Sequence, residues 1–155
     1  MPIRCRAQFT LNPFAGGAGA GLKLLEAGHV DRVVINEADR AIFCLWWSVM
    51  HRTDAFIDRV LTTPLTAKEW RSQRETYLTR RRGPRLDLGF ATFYLNRGNR
   101  SGIVKDGGEP MGGIKQSGEW KIDARFNRDG VAERVQEISA FGDRVSVLQL
   151  HAHDG

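Results

Sequence analysis

The chain has few cysteines, no long apolar run and few histidines, and each shortage argues against a class of protein. Cys5 and Cys44 lie too far apart for a zinc or redox motif, so we expect reduced thiols in a cytoplasmic protein. No apolar run approaches the roughly 20 residues that a membrane-spanning helix needs. No charged-then-apolar leader opens the chain, which argues against secretion. His151 and His153 have no cysteine near them, so we predict no bound metal.

Positive charge is concentrated in the middle of the chain, although the net charge is only +5. Residues 52–105 contain twelve lysines and arginines against five acidic residues, whereas residues 106–155 contain six against nine. A basic segment of this size is typical of a surface that binds a polyanion such as nucleic acid. The alternative is an ordinary solvated helix face, and the charge distribution leaves both open.

A glycine-rich turn near the start of the chain has the layout of a nucleotide-cofactor site. The run from Asn12 to Gly21 follows an extended segment, Gln8 to Leu11, and precedes a short apolar helix. Glu37 lies about 20 residues further on, at the end of the next apolar run. Glycines let the backbone approach a ligand, and a carboxylate at this spacing can bind ribose hydroxyls. The simpler alternatives are a tight turn and a surface acid at a strand end.

The pattern of apolar residues predicts an α/β fold in one domain. Arg32 to Asn36 is typical of a buried strand, and strand–turn–helix–strand at this spacing predicts two parallel strands. Capping residues and apolar stripes predict four helices between Asp39 and Leu95, and a last helix capped by Asn127 or Asp129. A final strand is predicted from Val145 to Leu150.

A long insertion interrupts this predicted α/β core. Asn96 to Ala124 is rich in glycine and in basic residues, and alternating runs such as Trp120 to Asp123 predict hairpin strands. We therefore divide the chain into a core of residues 1–51 and 141–155 and a helical and hairpin insertion of residues 52–140. A cofactor fold with a basic insertion indicates chemistry on a nucleic acid.

Four segments, in order along the chain, resemble the Dam-type class of adenine-specific DNA methyltransferases. They are Pro13-Phe14-Ala15-Gly16-Gly17-Ala18-Gly19, Ile35-Asn36-Glu37-Ala38-Asp39, Phe90-Ala91-Thr92-Phe93-Tyr94-Leu95-Asn96-Arg97 and Lys121-Ile122-Asp123-Ala124-Arg125-Phe126-Asn127. The resemblance covers nearly the whole chain, and its specificity comes from the order of all four segments. That family transfers a methyl group from S-adenosylmethionine to the exocyclic amine of adenine in duplex DNA.

The resemblance implies a partial Rossmann-like class I methyltransferase sheet with a helical and β-hairpin target-recognition insertion. Glu37 would accept hydrogen bonds from the cofactor's ribose, and Asp154 falls where relatives hold an acid near the cofactor adenine. The methionine end would be wrapped by Pro13, Phe14, Ala15, Gly16 and Gly17. Double-stranded DNA would be bound through Asn96, Arg97, Arg100, Ser101, Ile103, Arg125 and Asn127.

The family's catalytic turn, Asp or Asn followed by Pro-Pro and Tyr or Phe, has no counterpart in this sequence. The five prolines include no adjacent pair, and Asn12 stands where relatives usually have an acid. We therefore expect a chain truncated at both ends, with an open sheet edge, marginal stability and weak or no turnover alone. The alternative is a non-catalytic DNA-binding remnant of such an enzyme. A nucleotide-binding oxidoreductase fits less well, because the glycines do not follow G-x-G-x-x-G.

Overall fold

Three short strands form one parallel sheet, and the predicted parallel pairing of the first two is confirmed. The computed structural model describes residues 17–105 and 108–149, together with the backbone of residues 8–11. The strands β1 (Gln8–Leu11), β2 (Arg32–Asn36) and β3 (Val145–Leu148) lie in the order β1-β2-β3, and both pairings are parallel. β2 is central and buried at Val33, Val34 and Ile35, which is typical of a strand covered on both faces. The chain is therefore mixed α/β, as predicted.

The helix α1 (Gly17–Glu26) connects β1 to β2 and completes the predicted parallel unit. Its apolar side is buried through Leu22 and Leu25. Gly28 follows the helix with φ of 75°, and its N–H donates to the carbonyl of Leu25 at 3.1 Å. A left-handed residue at this position satisfies the last helix carbonyls, and glycine adopts it without a Cβ penalty. Gly28 therefore closes α1.

Five further helices follow β2, and their boundaries agree with the capping residues that the sequence contains. Thr66 accepts a hydrogen bond from the Glu69 N–H at 3.2 Å, and Asn127 accepts one from Gly130 at 3.1 Å. These bonds satisfy N–H groups that a helix cannot satisfy internally. The helices are α2 (Arg40–His51), α3 (Thr53–Thr62), α4 (Ala67–Thr79), α5 (Arg85–Gly98) and α6 (Arg128–Ser139).

The helices α2 and α5 approach each other closely at Gly89. A Cβ atom added to Gly89 would lie 2.4 Å from the carbonyl oxygen of Cys44, so the contact requires glycine. Beside it, the buried Ser48 hydroxyl lies 2.6 Å from the same carbonyl oxygen and 3.2 Å from the Arg85 carbonyl oxygen. This contact places the start of α5 against the middle of α2.

Aromatic side chains form the centre of the helical part. Phe56 contacts Phe90 and Phe93 edge-on, with ring centroids 5.8 and 5.4 Å apart, and Phe126 contacts Phe93 in the same way at 5.4 Å. Tyr94 is buried beside them and donates its hydroxyl to the Pro64 carbonyl at 2.9 Å. One apolar core extends from the sheet into these helices. The proposed division at residues 51 and 140 stays a prediction.

The predicted hairpin strands are wrong for the described residues between Asn99 and Arg125. Residues 99–105 and 108–125 contain one isolated antiparallel bridge, Asn99 to Pro110, and short 3₁₀ helices at Arg100–Gly102 and Ile122–Arg125. Ser101, Gly102, Gly112, Gly113 and Gln116 all have positive φ. Left-handed residues turn the chain and interrupt the extended backbone that a strand needs. The alternation around Ile122 instead reflects one buried side chain between exposed neighbours.

Candidate functional site

Glu37 lies at the carboxyl end of the parallel sheet and is only 3% exposed. Its N–H donates to the Leu148 carbonyl at 2.9 Å, which links the ends of β2 and β3. Its side-chain Oε1 accepts a hydrogen bond from the Asp39 N–H at 2.8 Å. The other oxygen, Oε2, is buried without a hydrogen-bond partner among the residues that the structure describes. A buried carboxylate oxygen in this state is costly unless a ligand group supplies the missing donor.

Strand β1, which precedes the glycine-rich segment, ends at the same edge of the sheet as Glu37. Leu11, the last residue of β1, pairs with Ile35, two residues before Glu37. The predicted turn extended to Gly21, but α1 begins at Gly17, so the second half of that turn is helical. Ligands of open parallel sheets bind outside the carboxyl ends of the strands, where such loops meet. The other predicted cofactor residues, Pro13, Phe14, Ala15, Gly16 and Asp154, lie outside the described residues.

Asp39 links this edge to the segment that follows α5. It caps α2 by accepting a hydrogen bond from the Ala41 N–H at 2.8 Å, and its Oδ2 lies 2.9 Å from the Lys105 ammonium. Burial acts to raise the pKa of Asp39, but the bonds from Lys105 and Ala41 outweigh it and hold the pKa below its ordinary value. Asp39 is therefore ionised at neutral pH and fixes Lys105 near the end of β2.

Two cavities lie between α2 and the end of α5. A cavity of about 470 Å³ is bordered by Asp39, Tyr77, Lys105 and Ile103, and one of about 390 Å³ by Leu22, Phe93 and Arg97. Trp46 and Asn96 border both cavities. The Trp46 side chain packs against the core while remaining partly exposed. A Trp ring and an amide between two cavities can contact a planar ligand by stacking and hydrogen bonding.

Five of the residues predicted to contact DNA cluster at the end of α5. Asn96, Arg97, Arg100, Ser101 and Ile103 are all exposed. The Asn96 amide donates to the Gly102 carbonyl at 3.2 Å, and the Arg97 guanidinium lies 5.9 Å from the centre of the Phe93 ring. Because the helix ends and the chain turns at positive φ, these side chains project from one short stretch. Such a stretch can present polar and cationic groups to a nucleic acid.

The two remaining predicted DNA residues have structural contacts within the fold. The Arg125 guanidinium donates to the carbonyl of Asn99, and a second contact reaches the Asn96 carbonyl at 3.4 Å. Asn127 caps α6 through its side chain. Arg125 thereby holds the end of α5 in place, while its exposed surface leaves DNA contact as a prediction.

Asn99 organises this region, and the sequence reasoning missed it. Asn96, which the resemblance assigns to DNA, is exposed, whereas Asn99 is fully buried. The Asn99 side chain accepts from the Trp70 indole N–H at 2.6 Å and donates to the Ile103 carbonyl at 2.6 Å. The signal in the sequence was an asparagine one residue beyond a helix that ends in glycine, a position that favours backbone capping.

The described part of the chain contains neither a metal cluster nor a membrane helix. Within residues 17–105 and 108–149, no group of three His, Cys, Asp or Glu side chains could hold a metal ion. No helix in the same ranges combines the length and the apolar character needed to cross a bilayer.

No protein-family model matches the chain, and no curated protein matches it. The function is therefore argued from the sequence motifs and from the geometry around Glu37 and the end of α5.

Proposed function

We propose that this chain is the cofactor-binding and DNA-recognition part of an adenine-specific DNA methyltransferase that uses S-adenosylmethionine. Glu37 and the glycine turn would hold the cofactor at the carboxyl edge of a class I methyltransferase sheet. The exposed residues at the end of α5 would contact double-stranded DNA. When bound, the cofactor supplies an electrophilic methyl group for the exocyclic amine of adenine.

The observation that carries the proposal is the unpartnered Oε2 of Glu37. A carboxylate oxygen in a site that is 3% exposed loses most of its hydration and needs a donor to replace it. A ribose has two neighbouring hydroxyls that can donate hydrogen bonds to one carboxylate. Because the other oxygen already accepts from Asp39, the side chain is held in one orientation with the free oxygen available.

The parallel sheet supports a nucleotide-type cofactor rather than an arbitrary ligand. Both strand pairings are parallel, so the ends of β1, β2 and β3 meet at one edge, and the glycine turn leaves from that edge. This is the arrangement in which glycine-rich turns and a strand-end acid cooperate. Asn12, Pro13 and Phe14 lie outside the described residues, so the wrapping of the methionine end rests on the sequence resemblance.

The DNA part of the proposal rests on exposure and on charge. Arg97 and Arg100 are exposed next to Ser101 and Ile103, within the segment that carries most of the positive charge. Arginine side chains bind phosphates, whereas polar groups such as Asn96 can contact base edges. A target adenine inside a duplex must be rotated out of the helix before its amine can react. Protein contacts with the DNA phosphates hold the duplex in this distorted state.

A second candidate is a DNA-binding protein of the same lineage without methyl transfer. It is favoured by the absence of any Pro-Pro pair, because the catalytic turn of the resembled family cannot be placed on these residues. In that case the exposed residues after α5 keep their role in DNA binding without methyl transfer. We therefore expect cofactor and DNA binding by this chain, with weak or no turnover alone.

Calorimetry with S-adenosylmethionine and the variant Glu37→Gln tests the proposal. The substitution keeps an oxygen for the Asp39 N–H but replaces the free acceptor by an N–H donor. We expect binding to weaken about 10- to 100-fold, the usual effect of losing a hydrogen bond to a charged group. The control is Glu133→Gln, which removes the same charge from an exposed position on α6. Equal affinity of the wild type and Glu37→Gln would refute the role of Glu37.

Labelled S-adenosylmethionine and adenine-containing duplexes separate the two candidates. Methyl transfer to DNA above background would establish the enzyme, and DNA binding without transfer would favour the second candidate. Absence of both cofactor and DNA binding in a folded sample would refute both. Folding is checked by a cooperative melting transition in circular dichroism.

A further inference from the structure

Four exposed arginines lie next to the half-buried Arg40, which comes from a distant part of the sequence, and we call these five the arginine cluster. Arg40 is the first residue of α2, and the others lie at the turn between α4 and α5. The Arg40 Nε donates to the Arg81 carbonyl at 2.7 Å, which joins the turn to the start of α2. The cluster consists of Arg40, Arg80, Arg81, Arg82 and Arg85.

Aromatic rings hold two of these cations in fixed positions. The Arg81 guanidinium lies 4.6 Å from the centre of the buried Tyr77 ring. The Arg85 guanidinium lies 4.8 Å from the Trp47 ring and 5.4 Å from the Phe43 ring. Cation–π contacts at this range restrict the long side chains while their N–H groups remain available to a ligand. Arg80, Arg81, Arg82 and Arg85 are all exposed.

The cluster has no carboxylate partner among the described residues. The ion pairs in that part of the chain are made by Arg59, Lys105 and Arg134. The adjacent acid, Asp39, is paired with Lys105. Burial raises the pKa of the Cys44 thiol, while the charges of Arg40, Arg85 and Arg81 oppose that rise. Like charges held together without counter-charges attract an anion.

The cluster and the predicted recognition residues flank the same cavity. The cavity of about 470 Å³ is bordered by Tyr77, which contacts Arg81, and also by Asn96 and Ile103. A ligand long enough to cross this cavity can therefore touch both groups. A duplex has evenly spaced phosphates along its length, and the planar guanidinium matches a phosphate with paired hydrogen bonds.

We propose that the arginine cluster binds phosphates of duplex DNA outside the bases that the segment after α5 reads. This rests on the proposed function, which supplies the duplex as partner. Phosphate contacts carry no sequence information, so the cluster contributes affinity on any DNA and sets the position of the duplex over the cavity. Its contribution falls as salt rises, because each neutralised phosphate releases condensed counter-ions.

Fluorescence anisotropy with a labelled duplex of arbitrary sequence, measured over a salt series, tests the cluster. The variant R80Q/R81Q/R82Q keeps the backbone carbonyl that Arg40 contacts. We expect the slope of log affinity against log salt to fall by about one for each lost phosphate contact, and affinity near roughly 0.1 M salt to drop at least about tenfold. S-adenosylmethionine binding should stay unchanged, because Glu37 and the glycine turn are untouched.

The matched control is K23Q/R32Q/R52Q, which removes the same charge from exposed positions on α1, β2 and the start of α3. An equal loss in this control, or no loss in the arginine variant, would overturn the proposal. R80K/R81K/R82K should keep most of the salt slope, because lysine keeps the positive charge; this variant therefore distinguishes a loss of charge from misfolding.

Tighter binding of single-stranded RNA that is lost in R80Q/R81Q/R82Q would assign the surface to RNA and also overturn the proposal. If cofactor binding fails while the salt effect persists, the proposed function fails and the phosphate site stands.

Discussion

The buried side chain of Asn99 accepts a hydrogen bond of 2.6 Å from the indole N–H of Trp70, and this bond joins α4 to the segment after α5. The same amide donates to the Ile103 carbonyl at 2.6 Å. Asn99 therefore holds three parts of the insertion together at the place where the predicted DNA residues lie.

Asn99→Ala should destabilise the protein by about 2–4 kcal/mol, because it leaves the Trp70 N–H and the Ile103 carbonyl without their partners. Urea unfolding at neutral pH measures the change. Asn96→Ala is the control, since Asn96 is exposed and makes one bond of 3.2 Å to the Gly102 carbonyl. A smaller effect for Asn99 than for Asn96 would contradict this account of the segment.

Gly89→Ala should destabilise the protein by about 1–3 kcal/mol, because the new Cβ would overlap the Cys44 carbonyl and force α2 and α5 apart. The matched control is Gly19→Ala on α1, where an added Cβ meets no atom of the described residues within 4 Å. There we expect stabilisation of about 0.5–1 kcal/mol from helix propensity. Thermal melting of both variants checks the pair, and opposite signs are the diagnostic result.

The Asp39–Lys105 pair predicts a loss of stability in acid. Because the folded protein holds the pKa of Asp39 below its ordinary value of 3.8, the pair contributes fully above that pH and is lost as pH falls through the lower folded value. Asp39→Asn keeps an oxygen for the Ala41 cap but loses the charge. The difference in unfolding free energy between wild type and variant should be constant from about pH 5 to 8 and shrink below about pH 4. A difference that grows toward acid would contradict the assignment.

Glu37→Gln should leave the stability of the cofactor-free protein unchanged or raise it slightly. A buried charge with one unpartnered oxygen costs more than a neutral amide of the same shape, since the amide is easier to remove from water. Chemical unfolding without cofactor measures this effect. A loss above about 1 kcal/mol would show that Oε2 has a stabilising partner within the protein.

Much of the architecture was readable from short-range patterns. Val33, Val34 and Ile35 are apolar on both faces of a strand and are buried in a central parallel strand. Asp39 and Thr66 precede helical stripes and cap the helices that follow them. These features depend on a few neighbouring residues, so the sequence carries them locally.

The region after α5 could not be read in this way. The alternation around Ile122 suggested strands, but positive φ at Ser101, Gly112 and Gln116 turns the backbone into short helical and bent segments. Asn99, and not the nearby Asn96, holds this segment in place because its side chain bonds to Trp70, which lies 29 residues away along the chain. The residues next to an asparagine do not indicate whether its side chain contacts a tryptophan that is distant in sequence.

By itself, the sequence determined the parallel pairing of β1 and β2, the capped starts of α2, α4 and α6, and an acid at the end of β2. Only the tertiary structure decided that one oxygen of Glu37 is buried without a described partner and that Arg40 joins the arginines of the α4–α5 turn. Helix starts and strand faces follow from neighbouring residues, whereas burial and the convergence of charges depend on which distant segments pack together.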